Sequence, residues 1–337
     1  MMKTPARQVL VAGGAGFLGS HLCEALLSEG AAVWCLDNLL TGRRQNLHHL
    51  EREPRFNFVE WDVIAPPPAR RLPRRFDQVF NLACAASPIQ YQADPEHTML
   101  TSVVGTSNLL RLAERSKARF LLTSTSEVYG DPEVHPQTET YRGNVSCTGP
   151  RACYDEGKRA GEALAFDFHR SERAEVRVVR LFNTYGPRMR ADDGRVVSNV
   201  IIQALEGADI TIYGDGTQTR SFCYFADIID GLLRLMAHEG EQPGPINMGN
   251  PEELTVRDLV ARVQALTRSP SAIIHLPLPQ DDPRRRRPDI AQATQLLGWV
   301  PRTPLAKGLE ATVAWFSSRE AQEMAHAVPS PQPLVAI

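Results

Sequence analysis

The stretch from Gln8 to Gly19 constrains this chain more than any other: Val9, Leu10, Val11 and Ala12 run straight into Gly13, Gly14, Ala15 and Gly16. Apolar residues then resume at helical spacing, in Phe17, Leu18, Leu22, Ala25 and Leu26. That is the pattern of a strand, a tight turn and a helix. Gly13, Gly16 and Gly19 let the chain turn, let backbone N–H groups approach a pyrophosphate at the helix N-terminus, and let helix and strand pack closely. A second apolar run, Ala32 to Leu36, ends on Asp37. A carboxylate there accepts hydrogen bonds from ribose hydroxyls and repels the extra phosphate of NADP. NAD is therefore the expected dinucleotide, and Arg43 and Arg44 nearby keep NADP open as an alternative.

Further strands are expected at Phe56–Glu60, Gln78–Asn81, Phe120–Ser124 and Glu175–Leu181, with helices near 98–116 and 150–172. Alternating strands and helices imply a Rossmann-type, doubly wound parallel sheet covered on both faces. After Gly186 and Pro187 the elements shorten: a helix near 196–206, a strand at Ile210–Tyr213, and helices near 255–267, 290–297 and 304–318. The division expected is a dinucleotide-binding domain over 1–182 and a smaller α/β substrate domain over 183–320, with the cleft between them. The segment 225–240 is expected to pack back on the first domain. Residues 321–337, with prolines and no apolar period, read as a disordered tail.

Tyr154 and Lys158 lie one helical turn apart and share a face. A tyrosine of pKa about 10 needs roughly 4 kcal/mol of help to ionise at neutral pH. An ammonium ~4–5 Å away, at an effective dielectric of ~20, supplies about that much. The pair suits a base that takes a proton from a sugar or alcohol hydroxyl. Between it and the glycine turn, the strand ending Leu122-Thr123-Ser124-Thr125-Ser126-Glu127 stops in hydroxyls and one carboxylate. Carboxyl ends of strands face the ligand crevice of an open parallel sheet, although Ser and Thr also close strand ends by ordinary turn bonds.

A net charge of -2 over 337 residues gives no electrostatic case for nucleic acid. Arg284-Arg285-Arg286-Arg287 is the one local exception. Six cysteines show neither C-x-x-C pairing nor metal spacing, so reduced thiols and no metal are expected. A first strand from about residue 8 leaves no room for a signal peptide, and no apolar run approaches ~18–20 residues. A cytoplasmic protein without membrane segments is the expectation.

These blocks, with Ser124-Thr125-Ser126-Glu127-Val128-Tyr129-Gly130, Phe182-Asn183-Thr184-Tyr185-Gly186-Pro187-Arg188 and Asp192-Asp193-Gly194-Arg195, resemble the extended short-chain dehydrogenase/reductases that act on nucleotide sugars. Within them the chain is most similar to the UDP-glucuronate decarboxylases, from about residue 8 to 318. The resemblance implies oxidation of the sugar at its 4-hydroxyl, loss of carbon dioxide from the resulting 4-keto acid, protonation at the fifth carbon, and return of the hydride to give UDP-xylose. NAD would be tightly bound and regenerated. Tyr154 and Lys158 would serve the proton transfer, with Thr125, Ser126 and Glu127 at the sugar ring and Arg286 at its carboxylate. Phe17, Leu18, Asn38, Thr41, Gly42, Asp62, Val63, Thr101, Thr184 and Arg195 would join the glycines and Asp37 around the cofactor. Ser87, Asn183, Arg188, Tyr213, Gln218 and Arg220 would hold the substrate with Arg286. A homodimer through helices 98–116 and 150–172 is also implied.

Two positions depart from the family pattern: Leu100 stands where a lysine is usual near the substrate, and Ala85 replaces a proline. They keep other readings open, namely a 4-epimerase, a 4,6-dehydratase, or a decarboxylase of a TDP-linked uronate. Ser126 argues against the dehydratase, which needs an acid there to protonate the departing 6-hydroxyl. A non-catalytic NAD-binding sensor is the reading from a different class.

Overall fold

The computed structural model describes residues 6–68, 70–240, 243–278 and 285–318. Six strands, β1 (Gln8–Ala12), β2 (Ala32–Asp37), β3 (Phe56–Glu60), β4 (Gln78–Asn81), β5 (Arg119–Thr125) and β6 (Val176–Leu181), join the strand Ile246–Met248 in one sheet. All neighbours run parallel, in the order Ile246–Met248, β6, β5, β4, β1, β2, β3. The chain builds outward from β1 to β3 and then restarts on the other side of β1 with β4. At that reversal the loops after β1 and β4 diverge and a crevice opens beyond the carboxyl ends of the strands.

Both faces of the sheet are covered, as the alternation of its side chains requires. Val9 and Val11 point into a core shared with Leu22 and Leu26 of the helix Phe17–Ser28 and with Ile228 and Leu232 of the helix Phe225–Ala237. Leu10 and Ala12 point to the opposite core, with Leu109, Leu110, Ala165 and Phe168. Two elements that follow residue 183 therefore belong to this sheet: the helix Phe225–Ala237 packs on it, and Ile246–Met248 forms its edge beside β6. A third core gathers Val200, Ile201, Ile212, Leu259, Val260 and Leu309. The tail from 321 to 337 lies outside the described residues, among which no helix is long and apolar enough to cross a membrane.

The helix expected near 98–116 runs as Pro95–Leu100, a wider π-type turn at Thr101–Gly105, and Thr106–Ser116. Such a turn adds a residue to the coil and re-aims the side chains beside it, here Thr101. The helix expected near 150–172 is Ala152–Arg170. A buried polar network fixes it to the sheet. Glu162 accepts hydrogen bonds from Ser124 Oγ at 2.5 Å and from Arg180 Nε and Nη2 at 2.9 and 2.7 Å. Arg180 also donates to the Tyr129 hydroxyl at 3.0 Å, which donates to Asn247 Oδ1 at 2.8 Å. Helix, β5, β6 and the edge strand are thereby held in one register beneath the crevice.

Removing one member of a buried ion pair strands its partner's charge, which costs about 3–5 kcal/mol. Glu162→Ala is expected to lower unfolding stability by that amount in urea, whereas Arg173→Ala, which breaks an exposed pair with Glu114, should cost at most about 1 kcal/mol. Equal losses from the two substitutions would show that the buried network does not hold the fold.

Candidate active site

A cleft of about 570 Å³ opens at the carboxyl ends of the strands. The turn after β1 forms its floor. Gly13 has φ of 78°, and a Cβ on Gly19 would overlap the Gly13 carbonyl oxygen, so both positions require glycine. Gly16 caps the helix Phe17–Ser28 without any side-chain hydrogen bond, leaving that N-terminus open to a pyrophosphate. Asp37 closes the end of β2, its carboxylate accepting from Ala15 N at 2.9 Å and Leu39 N at 2.8 Å. Each oxygen keeps a lone pair for a ribose hydroxyl. The cradle therefore fits NAD.

Of the residues expected at the site, all but Gly42 and Asp62 line this one cleft. Gly42 lies directly behind Asp37. Asp62 accepts hydrogen bonds from Asn38 at 2.9 Å and from His97 Nε2 at 2.8 Å, so it acts through two residues that do line the cleft. Ser87 Oγ is buried with no hydrogen-bond partner among the described residues, as suits a group facing a ligand. Arg188 turns toward the helix Phe17–Ser28, donating to Glu24 at 2.9 Å. Leu100 is outside the lining, and its side chain is half-exposed on the helix Pro95–Leu100. Of the arginine run, Arg284 lies outside the described residues; Arg286 is buried in the cleft, while Arg285 and Arg287 face away.

Tyr154 is buried and stacks flat on Tyr91, ring centroids 4.9 Å apart and planes within 4°. Thr125, the last residue of β5, lines the same cleft. Lys158 Nζ donates to the Thr123 carbonyl at 3.0 Å and stands 5.8 Å from the Tyr154 ring centre. In the chain alone the electrostatic balance is the reverse of the sequence estimate. Burial, with Cys84, Glu127 and Asp155 adding to it, pushes the Tyr154 phenol well above its ordinary pKa, and burial lowers Lys158. The positive side of the site also includes Arg195, whose own pKa is raised, against the effect of burial, by Asp193 and by the Tyr154 phenol.

Beside this pair, Glu127 is clamped by two arginines. Arg286 reaches both its oxygens, through Nη1 and through Nη2 at 2.8 Å, and Arg151 Nη2 donates at 2.8 Å. Burial alone would raise the Glu127 carboxyl, yet the charges of Arg286 and Arg151 outweigh it and hold it at about 2. Glu127 is thus an anion at neutral pH. Asp155 responds in the opposite sense: burial first, then the charge of Glu127, push it up to about 7. Sequence reasoning missed Arg151, Asp155 and Tyr91. Arg151 was findable, since it precedes Tyr154 by one helical turn; Tyr91 arrives from a different helix and left no local signal.

Asp155 favours its neutral form in the folded chain. Its contribution to stability is full below the ordinary carboxylate range near 3.8 and is lost as pH rises through about 7. Asp155→Asn is therefore expected to gain thermal stability over the native chain progressively from about pH 4 to about pH 7 and to hold that gain above it, read by melting curves at several pH values. A pH-independent difference would mean that Asp155 ionises normally.

The model of the NAD dependent epimerase/dehydratase family matches residues 9–249. UDP-glucuronic acid decarboxylase 2 of Arabidopsis thaliana is 51% identical over 319 residues, covering 94% of this chain and 70% of that protein. UDP-glucuronic acid decarboxylase 1 of Danio rerio is 48% identical over 330 residues, covering 98% and 77%. Among solved structures, UDP-glucuronic acid 4-epimerase from Bacillus cereus, in complex with UDP-glucuronic acid and NAD, superposes with a TM-score of 0.83 at 29% identity, covering 91% of this chain and 98% of that one. The dTDP-glucose 4,6-dehydratase DesIV of Streptomyces venezuelae, with NAD bound, gives 0.85 at 27% identity, covering 94% and 98%. A glycine turn, an acidic end to β2 and a buried tyrosine–lysine pair in one cleft agree with these likenesses, and the chain belongs to the NAD dependent epimerase/dehydratase family.

Proposed function

We propose that this chain decarboxylates UDP-glucuronate to UDP-xylose, with one NAD kept in the site and restored in every turnover. The observation that carries the reading is the meeting of Tyr154 and Lys158 with the clamp of Arg286, Glu127 and Arg151 in a single cleft. About half-identical relatives named UDP-glucuronic acid decarboxylases support the same substrate. NAD, when bound, accepts hydride from the sugar's fourth carbon and later returns it.

In this reading the Tyr154 phenol oxygen removes the proton of the 4-hydroxyl. Its high pKa in the chain alone means that ionisation must be driven by positive charge, from Lys158, Arg195 and the oxidised nicotinamide ring. The new ketone is beta to the sugar carboxylate and accepts the electron pair left as carbon dioxide departs. Arg286 is the cation for that carboxylate, matching its planar geometry in two bonds. In this reading Ser126 and Thr125, which line the cleft, donate hydrogen bonds to the enolate, which then takes a proton at the fifth carbon before the hydride returns to the fourth. Ser87, Asn183, Tyr213, Gln218 and Arg220 hold the nucleotide and diphosphate.

Leu100 and Val104 are exposed large apolar residues on the helical segment spanning 95–116. We propose that this face, with the helix Ala152–Arg170, pairs with a second copy of the chain. Light scattering after gel filtration should report a dimer, and Val104→Glu should shift it toward monomer; a native chain that elutes as a monomer at micromolar concentration would overturn the proposal.

The functional test uses the full chain as purified, incubated with UDP-glucuronate and no added NAD. Mass spectrometry should find a pentose product with release of carbon dioxide, and Tyr154→Phe should retain NAD while losing about a thousandfold or more in turnover. A six-carbon product would assign the chain to the epimerases, and near-normal turnover of the Phe variant would remove Tyr154 from the chemistry.

A further inference from the structure

The loop after β2 folds back on Asp37 so tightly that a Cβ on Gly42 would stand 2.6 Å from its Oδ1. In a cleft of this fold the adenosine ribose ends beside that carboxylate, and the 2′-phosphate that distinguishes NADP would sit on the same loop. An arginine there ordinarily accepts such a phosphate. Two candidates follow Asp37 in sequence, and both are engaged. Arg44 donates to Glu51 at 3.1 Å and lies over the Phe58 ring at 4.3 Å. Arg43 pairs at 3.4 Å with Asp192, a residue 149 positions away.

Asp192 holds a second guanidinium as well. Arg190, which lines the cleft, donates to it through Nε at 2.8 Å and Nη2 at 2.6 Å, and reaches the Thr41 carbonyl at 3.4 Å. One carboxylate thus gathers two arginines on the ribose side of the cleft. The three side chains are only 12–17% exposed. Each records the crowding: burial and then the Arg190 charge pull the pKa of Arg43 down, while Asp192 stays below its ordinary range because both arginines outweigh the effect of burial.

Asp37 and Asp192 offset Arg43 and Arg190, so the set is formally neutral. A phosphate monoester brings about −1.5 to −2 charges and needs a guanidinium that can turn to it. We propose that Asp192 is a specificity-determining residue for the dinucleotide: by keeping Arg190 and Arg43 in a closed ion cluster, it denies them to a 2′-phosphate and excludes NADP. Asp37 acts by repulsion. Asp192 acts by occupying the cations that would otherwise relieve that repulsion. The inference rests on the reading of this cleft as an NAD site.

Isothermal titration of the full chain, stripped of nucleotide, with NAD and with NADP separates the cases. The native chain should bind NAD and bind NADP far more weakly. Asp192→Asn should tighten NADP by about tenfold, the scale of one charge-assisted hydrogen bond, while NAD affinity moves by less than about threefold. Adding Arg190→Gln to it should erase the gain. Asp192→Ser provides the same removal of charge with a smaller side chain should the Asn variant fold poorly, with circular dichroism as the check. NADP affinity unchanged in both single variants, or equal weakening of the two dinucleotides, overturns the inference. A native chain that binds NADP and NAD alike also overturns it, and one that binds neither overturns the NAD reading itself.

Discussion

The Glu127 carboxylate ties together three parts of the chain that lie far apart in sequence. It stands just beyond β5; Arg151 comes from the start of the long helix that carries Tyr154 and Lys158; Arg286 comes from a short strand more than a hundred residues later. A buried carboxylate is tolerable only if its charge is met, and here two guanidiniums meet it. The clamp therefore fixes the far wall of the cleft to the sheet. It also stores the chemistry, since any carboxylated ligand that draws on Arg286 must compete with Glu127 for it.

The same clamp contributes to the electrostatics of its neighbours. Burial chiefly pushes Asp155 toward its neutral acid and disfavours the Tyr154 phenolate, and the charge of ionised Glu127 adds to both. In the proposed reaction the long helix thus presents a phenol that ionises only with the positive charge of Lys158, Arg195 and an oxidised nicotinamide ring around it. A base that is weak until the cleft is filled suits a cycle in which the proton is taken and given back at one oxygen.

Most of the sheet was legible because its signals are local. β1 and β2 are nearly continuous apolar runs, β3 to β6 each carry several apolar residues, and the glycine turn marks where the first helix begins. The pairing of Ile246–Met248 with β6 was not legible: three residues carry no period, and their place is set by β6 rather than by their own sequence. Ile273–Leu276 is an exposed strand whose partner, Ile210–Tyr213, lies far upstream. For the site, motif spacing brought nearly every expected residue to one cleft, while Asp192, the partner of Arg43, acts across a distance in sequence that no local pattern records.

The edge strand Ile246–Met248 and the helix Phe225–Ala237 have a consequence for biogenesis. They finish the sheet to which β1 belongs, so a nascent chain that has produced β1 to β6 still exposes the open side of β6 and an apolar face awaiting Ile228 and Leu232. The glycine turn can form early on the ribosome, but the hydrophobic layer behind it closes only after residue 248 has emerged. Synthesis of the substrate-facing segments between 184 and 224 is therefore complete before the nucleotide-facing sheet is whole, while Arg286 and the third core's Leu259, Val260 and Leu309 emerge later still.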